Sequence, residues 1–215
     1  MATEKEKGQS KKKRANEKKG RIGRTKGATV EDSQTGGKAL TQRIRVLHVL
    51  RQASGGMREH VTTLLKKMDS SRYSLMVACP RNTIVDRELV STGVKIFYVD
   101  ICEGSSLISN VKCLVRLIKI LRENRIQVVH CHGARAGLIG RAAPLLTGTP
   151  VVLYTVHNFV KQSSVAGWKK RLFAFAEKVL EPVTSRYIAV SRALRAEMVR
   201  EFGIPGEKIE VVYNG

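Results

Sequence analysis

The sequence predicts an α/β protein: a Rossmann-like, doubly wound, mostly parallel sheet, preceded by a disordered basic arm. Three observations predict it. From Arg43 to Gly215, short β-branched and aliphatic runs alternate with stretches of helical apolar spacing. Several runs are apolar at every position, as strands buried on both faces of a parallel sheet are. Glycine or histidine follows strand after strand, so polar residues gather where strands end.

Ile126–Asn158 carries the pattern most plainly. Ile126–His130 is a β-branched run, and Gly133 breaks it. Ala134–Leu146 has helical spacing, with small Ala and Gly residues that let a helix sit close to a sheet. Gly148-Thr149-Pro150 ends the helix, and Val151–Val156 is a second strand. Two parallel strands joined by a helix form a right-handed crossover. Histidines follow both strands: His130 and His132 after the first, His157 after the second. In an open α/β sheet the carboxyl ends of the strands are where ligands bind.

The other elements follow in order. Residues 1–42 contain Lys11-Lys-Lys-Arg14 and almost nothing large and apolar, so they predict a disordered basic arm. Residues 43–215 predict one Rossmann-like domain. Arg43–Arg51 is its first strand, with His48 inside as a core or edge histidine. The glycine turn Gly55-Gly56 leads into a helix over Met57–Met68. A strand, a glycine turn and a helix N-terminus offer unpaired N–H groups to an anion. The turn lacks the GxGxxG spacing, so no nicotinamide cofactor is indicated.

Tyr73–Cys79 and Lys95–Val99 are strands, with a short helix over Val85–Val90 between them. Asn110–Asn124 is an amphipathic helix. Val111, Leu114, Val115, Leu117, Ile118 and Leu121 are expected on its core side, with Lys112, Arg116, Lys119 and Arg122 opposite. That basic face reads as an ordinary solvated surface or as a contact for anionic lipid. Ala166–Leu180 is a helix opening with Trp168-Lys-Lys-Arg171. Arg186–Val190 is a strand, Ser191 caps the helix Arg192–Phe202, and Gly203 closes it. Ile209–Tyr213 is the last strand.

The net charge is +21, of which residues 1–42 carry +7 and the remainder +14. The folded part is therefore basic in its own right and favours anionic partners. No apolar run approaches the roughly 18 residues of a membrane span. No signal-peptide segment opens the chain, so a cytoplasmic protein is expected. Aromatic content of 5% disfavours the stacking platforms that bind nucleic acid. Cys79, Cys102, Cys113 and Cys131 show no CxxC spacing and read as small hydrophobes in a reducing compartment. No acidic or cysteine ligand stands at motif spacing near the histidines, so no metal is expected. A GxSxG elbow is lacking, which disfavours a serine hydrolase.

Phosphate-binding turns beside imidazoles suit transfer of a phosphorylated compound. The segments RVLHVLRQASGGMREHV, VVHCHGARAGLIGRAA, GTPVVLYTVHNF, IAVSRALRAEMV and IEVVYNG occur in that order. Together they resemble the N-terminal, acceptor-binding half of glycosyltransferase family 4, nucleotide-sugar-dependent retaining enzymes of the GT-B fold. The resemblance covers residues 43–215. It implies that Gly55 and Gly56 approach the donor diphosphate and that His157 contacts the donor sugar. It places His132 on the acceptor side, with Arg58, His60 and Asn158 as further cleft residues. Asn214-Gly215 matches the start of the hinge into the family's second, donor-binding domain.

The resemblance further implies hexosyl transfer to a saccharide or lipid-linked acceptor in cell-envelope polysaccharide synthesis. It implies no cofactor beyond the nucleotide-sugar substrate, and a position at the inner face of an anionic membrane. Half of such an enzyme is expected to be inactive until a C-terminal domain, in the same or a separate chain, completes it. The alternative left open by the residues is a non-catalytic basic module, binding a membrane surface or nucleic acid, on the same scaffold.

Overall fold

The computed structural model describes residues 42–52, 55–81, 83–90, 92–102, 106–157 and 167–214, without the side chains of 84, 85 and 168–170. The proposed arm up to residue 41, Asn158 and Gly215 lie outside the described residues, as do the side chains of Trp168, Lys169 and Lys170 in the cationic cluster.

Among the described residues, seven strands alternate with six α-helices, and a short 3-10 turn, Gly206–Lys208, precedes the last strand. The strands and helices are β1 (Ile44–Leu50), α1 (Gly55–Lys67), β2 (Tyr73–Cys79), α2 (Ile84–Val90), β3 (Lys95–Tyr98) and α3 (Leu107–Glu123). There follow β4 (Val128–His132), α4 (Ala134–Thr147), β5 (Val151–Val156), α5 (Gly167–Leu180), β6 (Arg186–Ala189), α6 (Arg192–Phe202) and β7 (Ile209–Val211). The strands form one sheet in the order β3-β2-β1-β4-β5-β6-β7, and every pairing is parallel. The chain winds outward from β1 in one direction, then restarts at β4 and winds in the other. The switch point, where a doubly wound sheet opens its ligand crevice, therefore lies between β1 and β4.

Strand alternation divides the core between the two faces. Leu50, Val77 and Cys79 pack with Met57, Val61 and Leu65 of α1 and Leu89 of α2. Leu47, Val49, Met76, Ala78, Val129, Cys131 and Tyr154 pack on the other face with α3, α4 and α6. Cys131 is a core thiol, and burial pushes its pKa up to about 12 while Arg141 pulls the other way.

Local chemistry sets the helix ends. The Ser191 hydroxyl accepts from the Leu194 N–H, and Gly203 takes the left-handed conformation that ends α6. Gly148 ends α4 in the same way. α4 and α5 are joined through a fully buried guanidinium. Arg141 donates from Nη1 and Nη2 to the Glu177 carboxylate at 3.0 and 2.5 Å, and its Nη1 also donates to Tyr187 Oη at 3.2 Å. The guanidinium lies over the Tyr154 ring at 4.2 Å. This charge is satisfied on every side, as a buried ion must be.

Three expectations shift. β4 runs through His130 and His132 rather than ending at the first, because both residues pair with β1 and β5. α1 starts at Gly55, so the glycines form its first turn. On α3 the buried side is Cys113, Leu117, Ile120 and Leu121, whereas Val111 and Val115 are 51% and 60% exposed. The apolar arc of α3 is wider than the arc its neighbours cover.

Candidate active-site cleft

The cleft is built from the switch point outward. β1 and β4 pair with His48 opposite His130 and Leu50 opposite His132. β4 and β5 pair with His132 opposite Thr155. Residues two apart on a strand share a face, so His48, His130, His132 and Thr155 project to the same side, with His157 two residues beyond Thr155. That is the face covered by α1, which contributes His60.

All five histidines of the chain thus form one contiguous group. The His130 and His132 rings lie 4.1 Å apart, His60 lies 5.3 Å from His157, and His132 lies 6.0 Å from His157. His48 Nδ1 and His132 Nε2 share a hydrogen bond at 3.1 Å, and His130 Nε2 and Thr155 Oγ1 share one at 2.7 Å. His48 Nε2, His132 Nδ1 and both His157 ring nitrogens have no partner among the described residues. These nitrogens are buried, and buried polar atoms without a partner call for an explanation such as a bound group or water.

The surroundings of every imidazole favour its neutral form. Burial, then His60, lowers His48 to about 4. Burial, then His60 and Arg51, lowers His157 to about 4. Burial and the neighbouring imidazoles push His130 and His132 well below the usual range, and burial lowers His60. A neutral imidazole can donate to one sugar hydroxyl and accept from another without introducing a charge.

The glycines lie beside this group. Gly55 has φ 57, a left-handed conformation that glycine adopts without strain. A Cβ on Gly56 would meet the Asn214 amide nitrogen at 3.7 Å, so the end of the chain returns to this turn. Gly133, at φ 79, begins α4, and a Cβ there would meet Met57 Sδ at 3.3 Å and Arg51 Nε at 3.5 Å. The first turn of α1 follows the carboxyl end of β1, the place in a βα unit where a helix N-terminus can meet an anion.

Of the residues singled out in the sequence, Gly55, Gly56, His60, His132 and His157 are brought together. Arg58 is not: its Nη1 donates to Glu88 Oε1 at 3.0 Å and ties α1 to α2. Asn158 lies outside the described residues. His48, expected as a core or edge histidine, belongs to the same group, as does His130, and Arg51 acts on His157 from beside it. The available signal was a histidine third from the end of each strand, His48 in β1 and His130 in β4, which parallel pairing places side by side.

His48, His130 and His132 each offer a nitrogen, and these lie within 4.8 Å of one another, close enough to share one metal ion. The donor set is three buried imidazoles without a carboxylate or thiolate, and hydrogen bonds already engage one nitrogen of each ring.

Comparison with known proteins agrees with this architecture. The family described as Glycosyltransferase Family 4 matches residues 54–215. A UDP-Gal:α-D-GlcNAc-diphosphoundecaprenol α-1,3-galactosyltransferase of Escherichia coli is 26% identical over 180 residues, covering 83% of this chain and 46% of that protein. The capsular polysaccharide biosynthesis glycosyltransferase CapM of Staphylococcus aureus is 27% identical over 107 residues, covering 50% of this chain and 28% of that protein. The structure of Anabaena Alr3699/HepE in complex with UDP and glucose superposes with TM-score 0.64 at 14% identity, covering 80% of this chain and 45% of that one. This chain therefore spans about half the length, or less, of the curated relatives it matches. With the family matched over most of its length and the sheet wound as a half of the GT-B fold, the chain belongs to glycosyltransferase family 4.

Proposed function

We propose that the chain is the acceptor-side half of a retaining, nucleotide-sugar-dependent hexosyltransferase. In this reading a second Rossmann-like domain, in the same or a separate chain, holds the nucleotide. The acceptor is a lipid-linked saccharide at an anionic membrane surface. The bond from the anomeric carbon to the donor diphosphate breaks and the nucleoside diphosphate leaves with the electron pair; a bond to the acceptor oxygen forms on the same face, and the hydroxyl proton passes to the departing diphosphate. No metal enters this scheme. Neutral imidazoles and helix N–H groups carry the polar work.

The observation that carries the reading is the convergence of all five histidines beside the Gly55-Gly56 turn at the sheet's switch point. The turn approaches the donor diphosphate through backbone N–H groups, with α1's positive end behind them. His157, with both ring nitrogens unpartnered, contacts the donor sugar, and His132 shapes the acceptor side. His60 and Asn158 complete the cleft. Membrane contact is supported by the exposed apolar stripes of α3 and α5 and the cations beside them. Among the described residues no helix is long and apolar enough to cross a membrane, so the proposed contact is peripheral.

The test is hexosyl transfer from a UDP-sugar to a sugar-diphosphate lipid by the chain joined to, or complemented with, a family C-terminal domain. His157→Ala is expected to lower kcat tenfold or more, roughly the effect of losing one positioned contact to the reacting sugar. Turnover unchanged in that variant would remove His157 from the site.

A further inference from the structure

At the carboxyl ends of β2 and β3 lies a cavity of about 320 Å³ that the cleft residues do not use. Arg81, Lys112 and Arg116 line it, together with Tyr98, Asp100 and Ser109. Two of the cations are fixed in place. The Arg116 Nε donates to the Tyr98 carbonyl at 2.8 Å, and the Arg81 guanidinium stacks on the Tyr98 ring at 4.1 Å. Among the described residues none of the three cations has a carboxylate partner, although Asp100 borders the same cavity. Three cations around one concavity, without a carboxylate partner among the described residues and two of them preorganised on a single tyrosine, form a receptor for a compact polyanion.

The position of the cavity identifies that polyanion. By helical geometry, the cavity residues Ser109, Lys112 and Arg116 lie on one flank of α3. The opposite flank carries Leu107, Val111 and Leu114, which line an apolar groove with Leu138, Leu172 and Phe175. The crest between the flanks carries Ile108 and Val115, 69% and 60% exposed. One helix thus offers an apolar crest to a membrane and, at its edge, a cationic cavity at headgroup level. The cavity opens on the same carboxyl edge of the sheet as the histidines. From β3 to β4 is three strand spacings, roughly 14 Å along the sheet.

We infer that Arg81, Lys112 and Arg116 hold the diphosphate of the lipid-linked acceptor, so that its sugar extends toward His132. This rests on the lipid-linked acceptor proposed above, and it adds the residues that select a diphosphate lipid over a neutral or monophosphate one.

Two measurements test it separately from that reading. The first uses this chain alone, with farnesyl diphosphate, farnesyl monophosphate and phosphatidylglycerol vesicles as probes. The chain is expected to bind farnesyl diphosphate at least tenfold more tightly than the monophosphate. Arg81→Gln with Lys112→Gln is expected to abolish that preference while lowering vesicle binding no more than the control Arg171→Gln with Lys178→Gln, which removes two exposed cations of α5 outside the cavity. Arg81 and Lys112 are exposed and neither makes a hydrogen bond or ion pair within the described fold, so their replacement leaves folding intact. Equal binding of the two prenyl phosphates, or vesicle binding that falls in step with diphosphate binding, would overturn the inference. In the latter case the cations would be a general lipid contact. The second uses the completed transferase: the same double variant is expected to raise the acceptor KM tenfold or more with the donor KM unchanged. A double variant whose acceptor KM is unchanged also overturns it. If diphosphate binding is selective and lost in the variant, but no sugar is transferred to any diphosphate lipid, the functional reading fails while the site stands.

Discussion

His48 has no exposed surface and shares a proton with His132, so a charge on it would sit among four other imidazoles. Burial first, and then His60, holds its folded pKa near 4 against an ordinary value of 6.5. The folded state keeps the ring neutral, while the unfolded chain takes up a proton as pH falls past 6.5. Stability is therefore fully present above that value and is lost progressively as pH falls toward 4. For His48 alone the loss between pH 7 and pH 5 is about 2 kcal/mol. His130 and His132, held neutral by burial and by their neighbours, add in the same direction. Urea unfolding at pH 7 and pH 5 checks this, and a midpoint that falls steeply over that interval is expected. A midpoint that stays put would mean that the folded cluster accepts protons as readily as the unfolded chain.

α4 shows how an element brings such residues into register. It carries no acidic residue in its first turn and presents glycines where it crosses the sheet. A Cβ on Gly137 would meet the Tyr154 ring at 2.5 Å, and one on Gly140 would meet Cys131 Sγ at 2.5 Å. Tyr154 cannot retreat, because it is fully buried beneath Arg141. Gly137→Ala should therefore destabilise the fold by about 1–3 kcal/mol as an overpacked contact, outweighing the gain of about 1 kcal/mol in helix propensity. The same denaturation measurement at pH 7 reads it, and a stabilised variant would mean that α4 can lift from the sheet freely. The small residues of this helix, the caps at Ser191 and Gly203 and the bounds of Val151–Val156 were legible in the sequence because each is a local signal. The covered side of α3 was not, since it depends on where α4 and α5 sit. Nor was the bond between His48 and His132, which joins residues 84 apart through strand order.

Over the whole molecule, apolar exposure is concentrated rather than scattered. Of the fifteen exposed large hydrophobic residues among those described, ten lie on α3, α4 and α5, including Leu107, Val111, Leu172 and Phe175. Cations stand beside them on α3 and α5, among them Lys112, Lys119, Arg171 and Lys178. Residues 43–215 carry +14, so the same surface that would insert side chains into lipid is drawn to an anionic headgroup layer. Burying one such side chain is worth about 1.5–3 kcal/mol. Replacing Val111 and Phe175 together with Gln is therefore expected to lower partition onto phosphatidylglycerol vesicles tenfold or more. Val212→Gln, exposed at 46% but outside this surface, should leave partition unchanged. Wild-type binding should weaken in high salt and should be lost on neutral phosphatidylcholine, because the attraction that gathers the chain at the surface is screened or absent there. The +7 of residues 1–42 could supply that attraction without any apolar insertion, and the two sources separate cleanly. If removing residues 1–42 abolishes partition while the Val111 and Phe175 double variant binds as wild type, the arm is the anchor and the α3–α5 surface is not. If the double variant loses partition with the arm intact, the face that meets the membrane is the one that places α3's cationic flank, and the cleft beyond it, at headgroup level.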